Sequence, residues 1–305
     1  MTVLNLNSRI NTDQLSLFST IKWIFLSFSV FWLSACSSIQ IGYNQGDTLL
    51  RWWIDDYFDL NSNQSELVST ALKQQFSWHR SEQLPLIQGT LFKLKRQLSK
   101  PLTLAETLEL YQDVRRHSMI AIEHLKKDTA KLLLTLEPSQ MKVMEVKFSK
   151  TNDKFRKDYL TGTVQQRLEG RIAKVIERTE NIFGNLTKEQ EAQIAKLVEA
   201  HPLDMNVVYR ERLRRQRDLL KLCKTVIAEK PSHETVEALL LKYIQTFEYG
   251  YTVEQKTFET ERIETSMHLT SAITEIMTEA QRRYAQAKID TWIEDVKVLS
   301  SSLKN

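Results

Sequence analysis

The residues best suited to chemistry lie close together near the start of the chain. His79, Arg80 and Glu82 put a titratable base, a fixed cation and a carboxylate within four residues, the groups that acid–base catalysis uses. On an uninterrupted helix His79 and Glu82 share a face, while Arg80 points about 100° away from His79. Trp78 precedes them, and the segment 43–64 carries Trp52, Trp53, Tyr57 and Phe58 beside Asp47, Asp55, Asp56 and Asp59. Two uses fit this grouping. Trp52, Trp53, Asp55, Tyr57, Trp78, His79 and Arg80 can line a binding site for a small molecule or peptide. Alternatively, Trp78 anchors a core while His79 and Arg80 pair with Asp55, Asp56 or Asp59 of the preceding helix. No residue is assigned a catalytic role.

Other chemistries find less support. Asp55 and Asp59 lack the spacing and the glycine of a calcium loop. His117 and His124 can face the same way on a helix, but zinc requires three or four ligands and no companion Cys or His is near. No metal and no cofactor is expected. The run Tyr209 to Arg217 places Arg210, Arg214 and Arg217 on one helical face. Such a face meets anionic head groups, or it is solvated and paired within the protein. Cys223, among Leu219, Leu220, Val226 and Ile227, reads as a small apolar residue on a buried stripe. GxxxxGK[ST], GxSxG, HExxH and paired CxxC patterns do not occur.

The elements that must position these residues are helices. Of 305 residues, 42% are hydrophobic and 26% charged, with only 7 Gly and 5 Pro. That leaves few of the tight turns a β-rich domain requires. A net charge of +4 gives no basis for a nucleic-acid partner. One phrase recurs: an apolar residue, a capping-type residue, and Gln three positions further on. It stands at Leu60–Gln64, Leu136–Gln140, Leu186–Gln190 and Met277–Gln281, and Thr187 with Gln190 has capping-box spacing. The fourth copy has no breaker nearby and also fits a mid-helix position. Further starts follow Lys100-Pro101 and Lys230-Pro231. The common order of these marks predicts one elongated all-α domain of long antiparallel helices over 47–305, with repeat halves 47–183 and 184–305.

Trp23 to Leu33 is an apolar run of 11 residues, too short for the roughly 20 that span a bilayer and suited to a signal-peptide core. Leu33-Ser34-Ala35-Cys36 follows and resembles the lipobox of bacterial lipoproteins. The resemblance implies a signal peptide over 1–35, lipidation of Cys36, and a tether over 36–46. Three acyl chains would anchor the protein permanently to a membrane. Ser37, in place of the Asp that retains such proteins in the inner membrane, implies the periplasmic side of the outer membrane. An ordinary small-residue cleavage site, with Cys36 a spare thiol, is the competing interpretation.

The WWxDxY segment (Trp52, Trp53, Asp55, Tyr57) and the WHRxxxLP segment (Trp78, His79, Arg80, Leu84, Pro85) resemble a family of uncharacterised Gram-negative lipoproteins. That resemblance implies an all-helical chain and carries over no activity. The LTxxQ phrase at Leu186–Gln190 resembles one in small periplasmic helical chaperones, although capping alone explains it. The expected function is therefore binding or scaffolding at the membrane, with an envelope protein or lipid head group as partner. A chaperone-like holdase, or an enzyme acting on envelope material through Trp78–Arg80, is the alternative.

Overall fold

A computed structural model describes residues 38–302. Cys36 and the apolar run before it lie outside the described residues. Helix makes up 87% of those described, and no strand occurs among them. The chain divides into two compact units between Asn44 and Gln45. In the first, the described part is helix α1 (Ser38–Asn44).

The second unit contains α2 (Gly46–Phe58), α3 (Ser62–Trp78), α4 (Leu84–Gln97), α5 (Leu104–Leu134), α6 (Pro138–Tyr159), α7 (Val164–Phe183), α8 (Lys188–Ala200), α9 (Met205–Glu229), α10 (His233–Tyr249), α11 (Val253–Glu275) and α12 (Glu279–Ser301). Asn61, Thr103, Thr163, Thr187, Thr252 and Thr278 each close a full capping box with the Gln or Glu three residues on. These boxes satisfy N–H groups that a helix start leaves orphaned. The Met277–Gln281 phrase therefore starts α12 and is not mid-helix.

The four recurring phrases join in pairs. Gln64 and Gln140 donate to each other's side-chain oxygens at 3.1 and 2.8 Å. Gln64 also donates to the Thr135 carbonyl at 2.8 Å, and Gln140 to those of Phe58 and Asp59 at 2.8 and 3.2 Å. Gln190 and Gln281 form the same reciprocal pair at 2.8 and 3.0 Å. They reach the Ile276 and Asn185 carbonyls at 3.0 and 2.9 Å. In both joints each amide oxygen accepts from the N–H of its own helix cap.

The packing of whole helices repeats in the same way. α2 lies on α3 and α6, as α7 lies on α8 and α12; α3 meets α5 as α8 meets α11. The final helix of each set crosses over, α6 onto α9 and α12 onto α4. α2 and α7 both end in Phe followed by a left-handed residue, Asp59 at φ 50° and Gly184 at φ 80°. The matching contacts set α2–α6 beside α7–α12. Gly184 is a chain reversal inside the second set, equivalent to Asp59 in the first.

Two large cores follow from this plan, beside a small cluster of Val68, Leu72 and Leu132. One gathers Leu98, Phe183, Ile194, Val198, Ile273 and Ile289; the other gathers Ala130, Leu136, Met144, Cys223, Val226 and Val236. Cys223 is fully buried in the second core, and burial pushes its thiol up to about 12. It therefore packs as an apolar group.

The joints yield a first prediction. Gln140→Leu removes the bonds to Phe58, Asp59 and Gln64 and leaves the buried Gln64 amide without its partner, so it should cost about 1–3 kcal/mol. Gln281→Leu, at a half-buried position, should cost less. Urea unfolding of both variants measures the difference, and the Gln64/Gln140 double-mutant cycle should show positive coupling.

Candidate functional site

The sequence-predicted residues fall in two places. α3 runs 17 residues, about 25 Å at the helical rise, from the joint at Gln64 to Trp78. Trp78, His79 and Arg80 therefore stand at its far end from Asp55, Asp56 and Asp59. Those acids are engaged near the joint: Asp55 accepts the Leu60 N–H at 2.9 Å, and Asp56 pairs with Lys147 of α6. Pairing of His79 and Arg80 with Asp55, Asp56 or Asp59 is thus prevented by the length of α3. Arg80 donates to the Ser302 hydroxyl at 2.9 Å.

Trp78 is half-buried and belongs to neither core, which corrects its expected role as a core anchor. Its ring stacks on His124 of α5 with centroids 3.8 Å apart and planes 7° from parallel. His124 Nδ1 lies 2.6 Å from the Gln75 side-chain oxygen, and Gln75 Nε2 donates to the Ala121 carbonyl at 3.3 Å. His117, one turn pair earlier on α5, bonds the Thr90 hydroxyl of α4 at 3.0 Å. The two histidines therefore tie α5 to α3 and α4. Among the described residues no cluster of His, Cys, Asp and Glu has the makings of a metal site.

Between α3 and α4, His79–Gln83 form a π-helical turn. Pro85 explains it: proline has no N–H to offer and its ring collides with the carbonyl four residues back. The turn widens so that the Leu84 N–H reaches the His79 carbonyl, five residues back. WHRxxxLP is thus the signature of a π turn that passes a proline without ending the helical path. The added residue changes the helical phase, with His79 half-buried and Glu82 exposed. Burial, then the positive charge of His117, hold the His79 imidazole below its ordinary value. Burial, then Arg116, lower His117 as well, against the opposing pull of Asp113.

Trp52 and Trp53 face outward on α2 and are 57% and 58% exposed. Trp53 leans on Tyr57 at 4.8 Å, Tyr57 meets Phe148 edge-on at 5.8 Å, and the Lys147 ammonium lies 5.5 Å from the Tyr57 ring.

The arginine run of α9 is divided between the interior and the surface. Arg214 is buried and pairs with Glu211 at 2.7 Å and Asp218 at 2.9 Å. Arg215 reaches Glu259 of α11 at 3.0 Å and covers the Phe247 ring of α10; Arg262 completes the pairing of Glu259 at 2.7 Å. Of the predicted face, Arg210 and Arg217 are exposed and Arg214 is not. Glu259, buried in α11, has a local partner in Arg262, but its second partner, Arg215, lies 44 residues away and has no local sequence signal.

The concavities are open surface grooves. One of about 380 Å³ runs between α6 and α9, lined by Phe148, Asn152, Arg156, Tyr209 and Gln216. Its polar groups are spent on one another, with Asn152 bonded to Gln216 at 2.7 Å and to Arg212 at 2.8 Å.

The geometry defines a class: an all-α protein of two sets of helices with the same contact order, exchanging their last helices across a shared middle. The chain belongs to a family of unknown function, DUF6279, whose model matches residues 56–249, from the end of α2 to the end of α10. Tyr57, Trp78, His79 and Arg80 lie inside that match; Trp52, Trp53 and Asp55 precede it. No curated protein and no solved structure matches the chain.

Two predictions follow from these contacts. His79 and His117 bind protons less readily folded than unfolded, so their stabilising contribution is whole above their ordinary value of 6.5. It is lost as pH falls through their lowered folded values. The urea midpoint should drop between pH 7.5 and 5, and His79→Gln should flatten that drop. Separately, Glu259→Ala leaves the partly exposed Arg215 and Arg262 without their carboxylate and should cost about 1–3 kcal/mol, read by thermal unfolding.

Proposed function

We propose that this protein is a lipid-anchored envelope lipoprotein on the periplasmic side of the outer membrane, acting by binding or scaffolding through its surface. The observation that carries the proposal is Leu33-Ser34-Ala35-Cys36 directly after an 11-residue apolar run. Small residues before a cysteine fit lipid transfer to the thiol, and several acyl chains on one residue make attachment permanent. The shallow, open grooves support recognition of an extended surface over capture of a small molecule. The match to a family of unknown function assigns no reaction.

Growth with a labelled fatty acid tests the anchor. Label should appear on the wild-type chain and vanish in Cys36→Ser, with the variant lost from the membrane fraction. Label persisting on Cys36→Ser would overturn the proposal.

A further inference from the structure

We propose that the outer face of α2 seats in the head-group zone of the bilayer that holds Cys36, so that Trp52 and Trp53 fix how the helical body sits on the membrane. This rests on the lipid anchor proposed above.

α2 is apolar on both sides. Inward, Ile54 packs on Val68 and Leu72 of α3, and Phe58 reaches the second core. Outward, Leu49 and Leu50 are 50% and 42% exposed beside the exposed Trp52 and Trp53. Leu49, Trp52 and Trp53 stand at i, i+3 and i+4, so they form one continuous stripe. A surface helix ordinarily turns charged residues to that side, and a patch of this kind marks an interaction site.

The residue types and their position identify the occupant. Tryptophan is the side chain favoured at membrane interfaces, where an apolar body and a polar N–H are both accommodated. α2 begins ten residues after Cys36, and ten residues reach at most about 35 Å even fully extended. The stripe is therefore confined to the vicinity of the anchored sulfur, where a bilayer is the largest apolar surface available. Among the described residues, only Asp56 of the three acids of α2 has a cation against it, and the charges of Asp47 and Asp55 are held by backbone N–H groups. Asp47 accepts the Thr48 N–H at 2.8 Å, Asp55 the Leu60 N–H, and Asp56 is paired with Lys147.

The test uses the full mature, lipidated protein in vesicles of phosphatidylethanolamine and phosphatidylglycerol, with and without brominated acyl chains that quench tryptophan at short range. Four of the six tryptophans follow Cys36, so roughly half of the emission should be quenched in the wild type. The quenching should be lost in Trp52→Phe/Trp53→Phe, whose remaining reporters are Trp78 and Trp292. Protein that carries fatty-acid label and floats with the vesicles, yet shows no quenching, would overturn the seating of α2 and leave the anchor standing. Protein that neither carries label nor floats would overturn the anchor itself, and the seating with it. Quenching that persists in the double variant would overturn the assignment to α2. So would a wild-type dimer in detergent that Trp52→Ser/Trp53→Ser disperses, because the stripe would then belong to a second copy.

Discussion

Two reciprocal pairs of glutamine amides hold the helix starts on which the rest of the fold hangs. In each pair the oxygens serve the caps of their own helices, and the nitrogens serve the partner's oxygen and the carbonyls just before the partner's cap. A glutamine can do this because it carries an acceptor and two donors on a side chain long enough to reach back three residues. Glutamate would close the capping box as well but would turn a carboxylate toward carbonyl oxygens. The joint around Gln64 and Gln140 brings together the ends of α2 and α5 and the starts of α3 and α6. The geometry of two hairpin-like reversals is thus set by one buried polar contact, and hydrogen bonds of this kind become costly when only half made.

The two sets of helices solve the same problem differently where their sequences diverge. Between α3 and α4 the path continues through a π turn that accommodates Pro85; between α8 and α9 it breaks at His201-Pro202, with Arg171 closing the end by donating to the Val198 and His201 carbonyls at 3.1 and 2.5 Å. α5 runs 31 residues unbroken, whereas α10 and α11 are interrupted at Gly250, which adopts φ 69°. Near that interruption the packing is ionic, through Glu211, Arg214, Arg215 and Glu259. Buried pairs of this kind add little net stability against an apolar filling, but they penalise any shift that separates them. They fix the register of α9 against α11 where apolar contacts alone would allow sliding.

Much of the fold could be read locally, and what could not depends on distance along the chain. The capping phrases mark helix starts because Thr187 and Gln190 are three residues apart and interact directly. Their pairing joins residues 76 and 91 apart, and nothing in either phrase names its partner. For the same reason Phe183-Gly184 resembles a helix end in isolation and matches Phe58-Asp59 only through the equivalent joints. Trp78, His79 and Arg80 were legible as an unusual group. Their surroundings were not, because Pro85 changes the helical phase between them and α4, and because Trp78 meets its stacking partner 46 residues further on.

The crossing of α12 onto α4 imposes an order on the birth of the molecule. Gln88 and Gln286 bind the Ile293 and Lys95 carbonyls across sequence separations of 205 and 191 residues. A nascent chain emerges N-terminus first, so α4 is made long before its partner. Until then the apolar flank of α4 has no cover of its own. The body therefore locks only when the final helix arrives, like a clasp whose two halves lie at opposite ends of the strap. A chain that stops short of α12 leaves α4 open to whatever other surface it meets first.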